Sequence, residues 1–214
     1  MKKIAKILLL IILASCFPKT GETPPSRIGA REKEERLSED SREPLIEEKE
    51  ASELEPLLKK WLTFYRLDIK TFKLAGTEDF AREAELYSRE FDAAVHEKYS
   101  PRAREYSPGK RRYINLPEAA FGRSSEGQEI RLVDLDKKKD IMILFAGSGA
   151  RVEAAFWKNN ECFALVYYNS YNEEYGILVY DILRGERKDY RQEAAHSTGG
   201  YLERGMSERG FSGK

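Results

Sequence analysis

Two heptapeptides in the C-terminal half repeat one another at an offset of 47 residues: Glu129-Ile130-Arg131-Leu132-Val133-Asp134-Leu135 lies over Gly176-Ile177-Leu178-Val179-Tyr180-Asp181-Ile182. Each is followed by a turn, Asp136-Lys137-Lys138-Lys139 in one and Leu183-Arg184-Gly185-Glu186 in the other, and then by a further strand-like run. A repeated strand, turn and strand restricts this half to a β-rich architecture made of two similar units. Upstream the echo is looser, with Tyr106-Ser107-Pro108-Gly109-Lys110 standing where the second copy has Trp157-Lys158-Asn159-Asn160-Glu161. Short β-branched and aromatic runs bounded by turn residues predict strands at Arg112 to Leu116, Glu129 to Leu135, Ile141 to Phe145, Val152 to Trp157, Cys162 to Tyr168 and Gly176 to Leu183. A short one is expected at Arg187 to Tyr190. Asp134 and Asp181 close the two echoed strands, where a carboxylate accepts backbone hydrogen bonds from the turn that follows.

The order of aromatic residue, tight turn, strand, hairpin, hydrophobic-Asp-hydrophobic triplet and charged turn resembles the blade of a WD-type β-propeller. The resemblance covers residues 106 to 190, about two blades. Closed propellers usually carry at least four blades, so two units need another partner for their apolar faces, and a helical pair upstream is the expected one.

That pair is read from residues 56–100. Leu58, Trp61, Leu62, Tyr65, Ile69 and Phe72 recur at three- and four-residue steps after Pro56, which predicts a helix with Gly76 at its end. Thr77 then offers a cap to a second helix with Phe80, Ala84, Tyr87, Phe91, Ala94 and Val95 on one face, ending before Pro101. The fold class expected is therefore α+β: a helical hairpin over 56–100, an antiparallel β domain with two blade-like units over 101–191, and a disordered glycine-rich tail over 192–214.

The N-terminus carries a different signal. Lys2, Lys3 and Lys6 precede the apolar run Ile7 to Leu13, which is far shorter than the roughly 20 residues that span a bilayer. Leu13-Ala14-Ser15-Cys16 then resembles the lipobox of bacterial lipoproteins. That resemblance implies cleavage of residues 1–15, diacylglycerol on the Cys16 thiol and anchoring to a membrane on its non-cytoplasmic side. Phe17, rather than Asp, follows the cysteine and favours the outer membrane where the host has two. Residues 16–55 hold Pro18, Pro24, Pro25 and Pro44 and a dense mixed-charge run, a composition too poor in apolar groups to offset its own ordering entropy. They read as a tether, with fluctuating helix allowed at 45–54; a flexible chain of about 35 residues reaches roughly 30 to 35 Å.

Composition narrows the partners and the chemistry. Without the leader the chain has 34 basic and 37 acidic residues, which implies no nucleic-acid partner. Cys162 is the one cysteine left after Cys16 is acylated, so no internal disulfide is expected, and it reads as a small apolar core residue. His96 near a helix end and His196 in the tail are poorly placed for a triad, and no cysteine or histidine pair has metal-ligand spacing, so no catalytic residue, metal or cofactor is expected. Ile141 to Phe145 running into Ala146-Gly147-Ser148-Gly149-Ala150-Arg151 lacks the third glycine of a dinucleotide fingerprint and the Gly-Lys-Ser/Thr of a P-loop. Gly147 and Gly149 read as a turn between strands; helix over 151–158 is the alternative. The segment most like a binding surface surrounds one hairpin tip with Tyr167, Tyr168, Tyr171 and Tyr175 and with Asn169 and Asn172, a mixture suited to glycan or protein recognition. The functional expectation is a membrane-anchored, non-catalytic binding or scaffolding module of the cell envelope; the alternative is an envelope enzyme acting on peptidoglycan or glycan.

Overall fold

All seven strands expected between Arg112 and Tyr190 form, each within a few residues of its expected bounds. The computed structural model describes residues 43–97, 100–116, 127–147, 149–194 and 200–208. The expected leader, Cys16, most of the expected tether and His196 lie outside the described residues. Strands β3 (Arg104–Tyr106), β4 (Arg112–Asn115), β5 (Gln128–Asp134) and β6 (Lys139–Ala146) run as one antiparallel meander. A second is formed by β7 (Ala150–Trp157), β8 (Cys162–Asn169), β9 (Glu174–Asp181) and β10 (Glu186–Glu193). Residues 151–157 are thus strand rather than helix, and residue 147 lies in the turn between β6 and β7.

Two strands from the preceding chain complete the sheets. β1 (Lys73–Asp79) pairs with β10 and β2 (Ser88–Glu90) with β6, so each sheet is antiparallel and five-stranded, with orders β1-β10-β9-β8-β7 and β2-β6-β5-β4-β3. The molecule is α+β and mostly β.

The 47-residue echo maps onto equivalent places in the two sheets, since the repeated heptapeptides lie along β5 and β9. Backbone detail repeats with it. Lys138 and Gly185 both take positive φ, 51° and 66°, in the turns after them. Leu135 N–H donates to Arg111 O at 2.9 Å, and Ile182 N–H donates to Glu161 O at the same distance. Both incoming fifth strands dock alike, Phe91 N–H on Lys138 O and Ala81 N–H on Gly185 O. Asp134 and Asp181 accept from the backbone N–H groups of Lys137 and of Leu183 and Arg184, as their strand-end positions predict.

The helical hairpin expected over 56–100 does not form. Helix α1 (Glu48–Tyr65) begins earlier and stops at Arg66, whose left-handed backbone returns its N–H to Leu62 and Thr63 carbonyls. Pro56 is therefore inside the helix, on an exposed face where the carbonyl it leaves undonated meets water. Ile69 and Phe72 keep their burial through a 3-10 turn, Ile69–Thr71, so the periodic spacing marks a shared core rather than a continuous helix. Gly76 lies within β1 beside a register shift, and the second expected helix reduces to α2 (Phe80–Leu86) and α3 (Ala93–His96) around β2. Pairing with β10 and β6 satisfies backbone groups that the short, half-exposed faces of those helices could not hold by packing. The tether expected over 16–55 overlaps α1 at its end, where Ala51 and Leu54 lie on the buried face of that helix. At the other end the expected disordered tail supplies the last residues of β10 and a helix, α4 (Tyr201–Glu208), with Leu202 buried.

Helix α1 lies on one face of the β7–β10 sheet and the other sheet lies on its second face. Leu54, Leu58, Trp61 and Leu62 meet Ala164, Val166, Ile177 and Tyr190 in the first layer. Phe163, Leu165, Leu178 and Tyr180 meet Ile114, Ile130, Leu132 and Ile143 in the second. Arg112 clamps the two sheets at one end: its Nε donates to Asp134 at 2.7 Å within its own sheet. Its Nη1 donates to the Asn160 carbonyl and the Glu161 carboxylate of the β7–β8 turn, at 2.9 and 2.7 Å. Gly109 N–H donates to Asn160 Oδ1 in the same place, joining the two turns that the looser echo paired.

Replacing Arg112 by alanine leaves the buried Asp134 carboxylate without its cation, and we expect a loss of about 3–5 kcal/mol in urea unfolding. Asp134 is subject to burial, which raises its pKa, but the Lys137 N–H and the Arg112 guanidinium outweigh that and hold it below the usual aspartate value. Its contribution is therefore present above the unfolded pKa and lost on acidification through the lower folded one. The wild-type advantage over the alanine variant should shrink as pH falls below about 4.

Candidate functional site

Strand β7 carries a bulge where its register with β8 shifts between Val152 and Ala154, leaving Glu153 as the extra residue. The bulge turns Glu153 toward α1, under whose C-terminal half it is buried at 5% exposure. Two donors from that helix hold the carboxylate: Trp61 Nε1 at 2.8 Å and the Tyr65 hydroxyl at 2.6 Å. Burial pushes the Glu153 pKa above its ordinary value, against the opposing pull of Tyr65 and Trp61. Burial, followed by the neighbouring carboxylate, likewise pushes the Tyr65 hydroxyl up.

Around this pair the aromatic rings form a continuous cluster. Tyr175 lies 5.9 Å from Trp61 and 4.6 Å from Tyr65, and Tyr168 lies 5.2 Å from Tyr175. On the other side Tyr201 of α4 lies 6.4 Å from Tyr65 and 5.4 Å from Phe64. The Tyr201 backbone N–H donates to the Tyr65 hydroxyl, and Arg151 pairs with Glu203 at 2.7 Å. These contacts are what seat the C-terminal helix.

The six residues expected to form a binding tip are divided by this packing. Tyr167 is buried, with its ring laid across Gly176 so closely that a Cβ there would fall 1.9 Å from it, and its hydroxyl donates to Asp189. Tyr175 is buried and Tyr168 is half-buried in the aromatic cluster. Asn169 closes the turn, its Oδ1 accepting from Tyr171 and Asn172 N–H groups at 3.0 and 3.4 Å. Tyr171 stands 76% exposed, its ring over Gly149, and Asn172 beside it is exposed and donates to Glu174. Gly149 is thus required by close approach of the tyrosine, while its carbonyl accepts from Ser170 N–H and Oγ.

The second sheet holds a buried polar network on its outer face. His96 Nδ1 lies 2.7 Å from the Tyr113 hydroxyl and its Nε2 lies 3.1 Å from Asp140 Oδ2. Arg131 Nε donates to Asp140 Oδ1 at 2.5 Å and Arg89 Nε donates to Oδ2 at 2.8 Å. Burial raises the Asp140 pKa, but these two guanidiniums outweigh it and hold the carboxyl below its ordinary value. Burial pushes the Tyr113 hydroxyl up to about 12. The order Tyr-His-Asp has the distances of a proton relay, yet His96, Tyr113 and Asp140 are each no more than 3% exposed. Neither of the two clefts described below reaches them. His96 sits in the last turn of a helix, as expected, and is buried there.

Two clefts flank α1. One, of about 280 Å³, lies near its acidic N-terminal half and reaches Cys162, a half-buried thiol whose pKa burial raises. The other, of about 630 Å³, lies between its basic C-terminal half and α4. Among the described residues no group of three or more Cys, His, Asp or Glu side chains has metal-site geometry, and no helix is long and apolar enough to cross a membrane.

Sequence reasoning missed Glu153, Asp140, Arg131 and Arg112 as buried charges. Glu153 alone carried a visible signal, an acid set within the apolar run Val152-Glu153-Ala154-Ala155-Phe156. No protein-family model, curated protein or solved structure matches the chain.

Glu153→Ala removes the acceptor of two buried donors, and we expect a cost of about 2–4 kcal/mol. Glu153→Gln preserves shape and one acceptor oxygen, which can face Trp61 Nε1 while the Tyr65 hydroxyl turns to accept from the amide, and should lose less stability than the alanine variant. Because the folded pKa is raised, ionisation of Glu153 weakens the fold as pH rises above 4.5, the ordinary glutamate value. The glutamine variant should therefore gain stability relative to wild type between acid and neutral pH, a trend measurable as a growing difference in denaturation midpoints.

Proposed function

We propose that this chain is a bacterial lipoprotein whose β domain acts as a non-catalytic binding or scaffolding module of the cell envelope, tethered through acylated Cys16. The leader and lipobox support the location, and Phe17 favours the outer membrane. The observation that carries the binding role is Tyr171. A large aromatic that stands over Gly149 and is yet 76% exposed offers contact area, and tyrosine has few side-chain torsions to fix on binding. Asn172 adds an adaptable donor and acceptor beside it, which suits a protein or glycan partner. Tyr168, Asn169, Tyr167 and Tyr175 support the tip from beneath in this reading.

The two meanders are, in the same proposal, two blade-like units of a propeller-type repeat whose remaining apolar face is covered by α1 instead of further blades. Their repeated turns, positive-φ positions and docking of the fifth strands support that reading. An envelope enzyme acting on peptidoglycan or glycan is the second reading, favoured by the spacing of Tyr113, His96 and Asp140. Their burial weighs against it.

Two measurements test the proposal. Cys16→Ser should move the protein from the membrane to the soluble fraction of fractionated cells; an unchanged distribution would show that anchoring does not run through this thiol. Tyr171→Ala should reduce crosslinked capture of an envelope partner in intact cells while leaving thermal stability within about 0.5 kcal/mol, as for other exposed substitutions. Equal capture by variant and parent removes the tip from the binding surface.

A further inference from the structure

Helix α1 is charged in opposite senses at its two ends. Glu48, Glu50 and Glu53 occupy its first half, and Lys59, Lys60 and the capping residue Arg66 its second. The acidic half is largely neutralised by the sheet: Glu50 accepts Lys188 at 3.0 Å and Glu53 pairs with Lys158, so the smaller cleft, with five acids and four bases in its lining, is close to neutral. The basic half has no such balance. Lys59, Lys60 and Arg66 line the larger cleft and, among the described residues, form no ion pair. Arg204 adds a fourth cation, and Glu208, the one acid in the lining, lies 3.3 Å from it.

The cleft also has an aromatic floor. Phe64 and Tyr201 meet edge to face at 5.4 Å, and the Arg204 guanidinium lies over the Phe64 ring at 5.9 Å. The volume, about 630 Å³, is that of a small-ligand site. Aromatic faces pack against the apolar face of a sugar ring, while lysine and arginine at the rim select carboxylate or phosphate groups. We propose that the cleft between α1 and α4 binds an anionic glycan, a chain whose sugar rings pack on Phe64 and Tyr201 and whose acidic groups meet Lys59, Lys60, Arg66 and Arg204. This assignment rests on the envelope reading, since an anionic ring ligand on that side of the membrane is a polysaccharide rather than a nucleotide. It is independent of the Tyr171 tip.

Calorimetric titration of the full chain with hexagalacturonate tests it, with a neutral cello-oligosaccharide of equal length and AMP as comparison probes. Binding of hexagalacturonate is expected, weakening with added salt, with no heat from the neutral sugar. The Lys59→Ala/Lys60→Ala variant should bind about tenfold more weakly, from two exposed charge contacts. Phe64→Ala should weaken binding at high salt as well, and Lys137→Ala/Lys138→Ala, a basic pair in a distant turn, should leave it unchanged. The inference is overturned by absence of binding, by equal binding of the neutral sugar, or by preference for AMP. Equal weakening in the distant pair also overturns it, because the effect is then general electrostatics. Where hexagalacturonate fails yet capture through Tyr171 persists in cells, the cleft assignment falls and the binding-module reading stands; where it binds yet Cys16→Ser leaves the chain in the membrane, the lipid anchor is what fails.

Discussion

Strands β8 and β9 bury side chains on both faces at successive positions, from Phe163 to Tyr167 and from Tyr175 to Leu178. A strand so apolar cannot lie at a surface, and the sheet that contains it must be covered twice. Helix α1 covers one face with Leu54, Leu58, Trp61 and Leu62, and the other five-stranded sheet covers the second with Ile114, Ile130, Leu132 and Ile143. The remaining features follow from that layering: where the bulge turns Glu153, why Tyr175 packs beneath the helix, and why α4 finds an aromatic seat.

Charge is buried only where a partner is built beside it. Arg112 bridges the sheets with Asp134 and Glu161, Asp140 is held by Arg131 and Arg89, and Glu153 takes hydrogen bonds from Trp61 and Tyr65. The first two carboxylates meet guanidiniums and keep depressed pKa values; the third is hydrogen-bonded by neutral donors, with the Arg151 charge a lesser influence, and burial raises its pKa. Burial raises all three, and the opposite pH signs follow from whether the partners outweigh it: guanidiniums do at Asp134 and Asp140, and the donors at Glu153 do not. Of the three, the Arg112 site is the one that joins turns of the two meanders, through Asn160 and Glu161.

Much of the β half was legible because its cause is local. Alternation, turn residues and the 47-residue echo are properties of short segments, and they located seven strands and the two strand-end aspartates. The candidate site was less legible. Tyr171 and Asn172 are exposed as a tip would have them, but Tyr167 and Tyr175 look the same in sequence and are buried, because the neighbours that bury them come from elsewhere: the core shared with the other sheet for one, α1 for the other. The cations of the larger cleft lie on the first and last helices of the described residues, and no local pattern joins Lys59 to Arg204.

By itself the sequence determined the strand periods, the turns that close them and the echo between the two meanders, since each depends on the order of residues within short segments. Tertiary structure decided what residues 67–97 became. Their three- and four-residue spacing satisfies a helix, but the open outer edges of β6 and β10 offered backbone partners, and a strand that completes a hydrogen-bond ladder outweighs a short helix with a half-exposed face. It likewise decided that His96, Asp140 and Glu153 are buried and that Tyr201 to Glu208 are helical, because both outcomes depend on groups brought together only after the two sheets have packed.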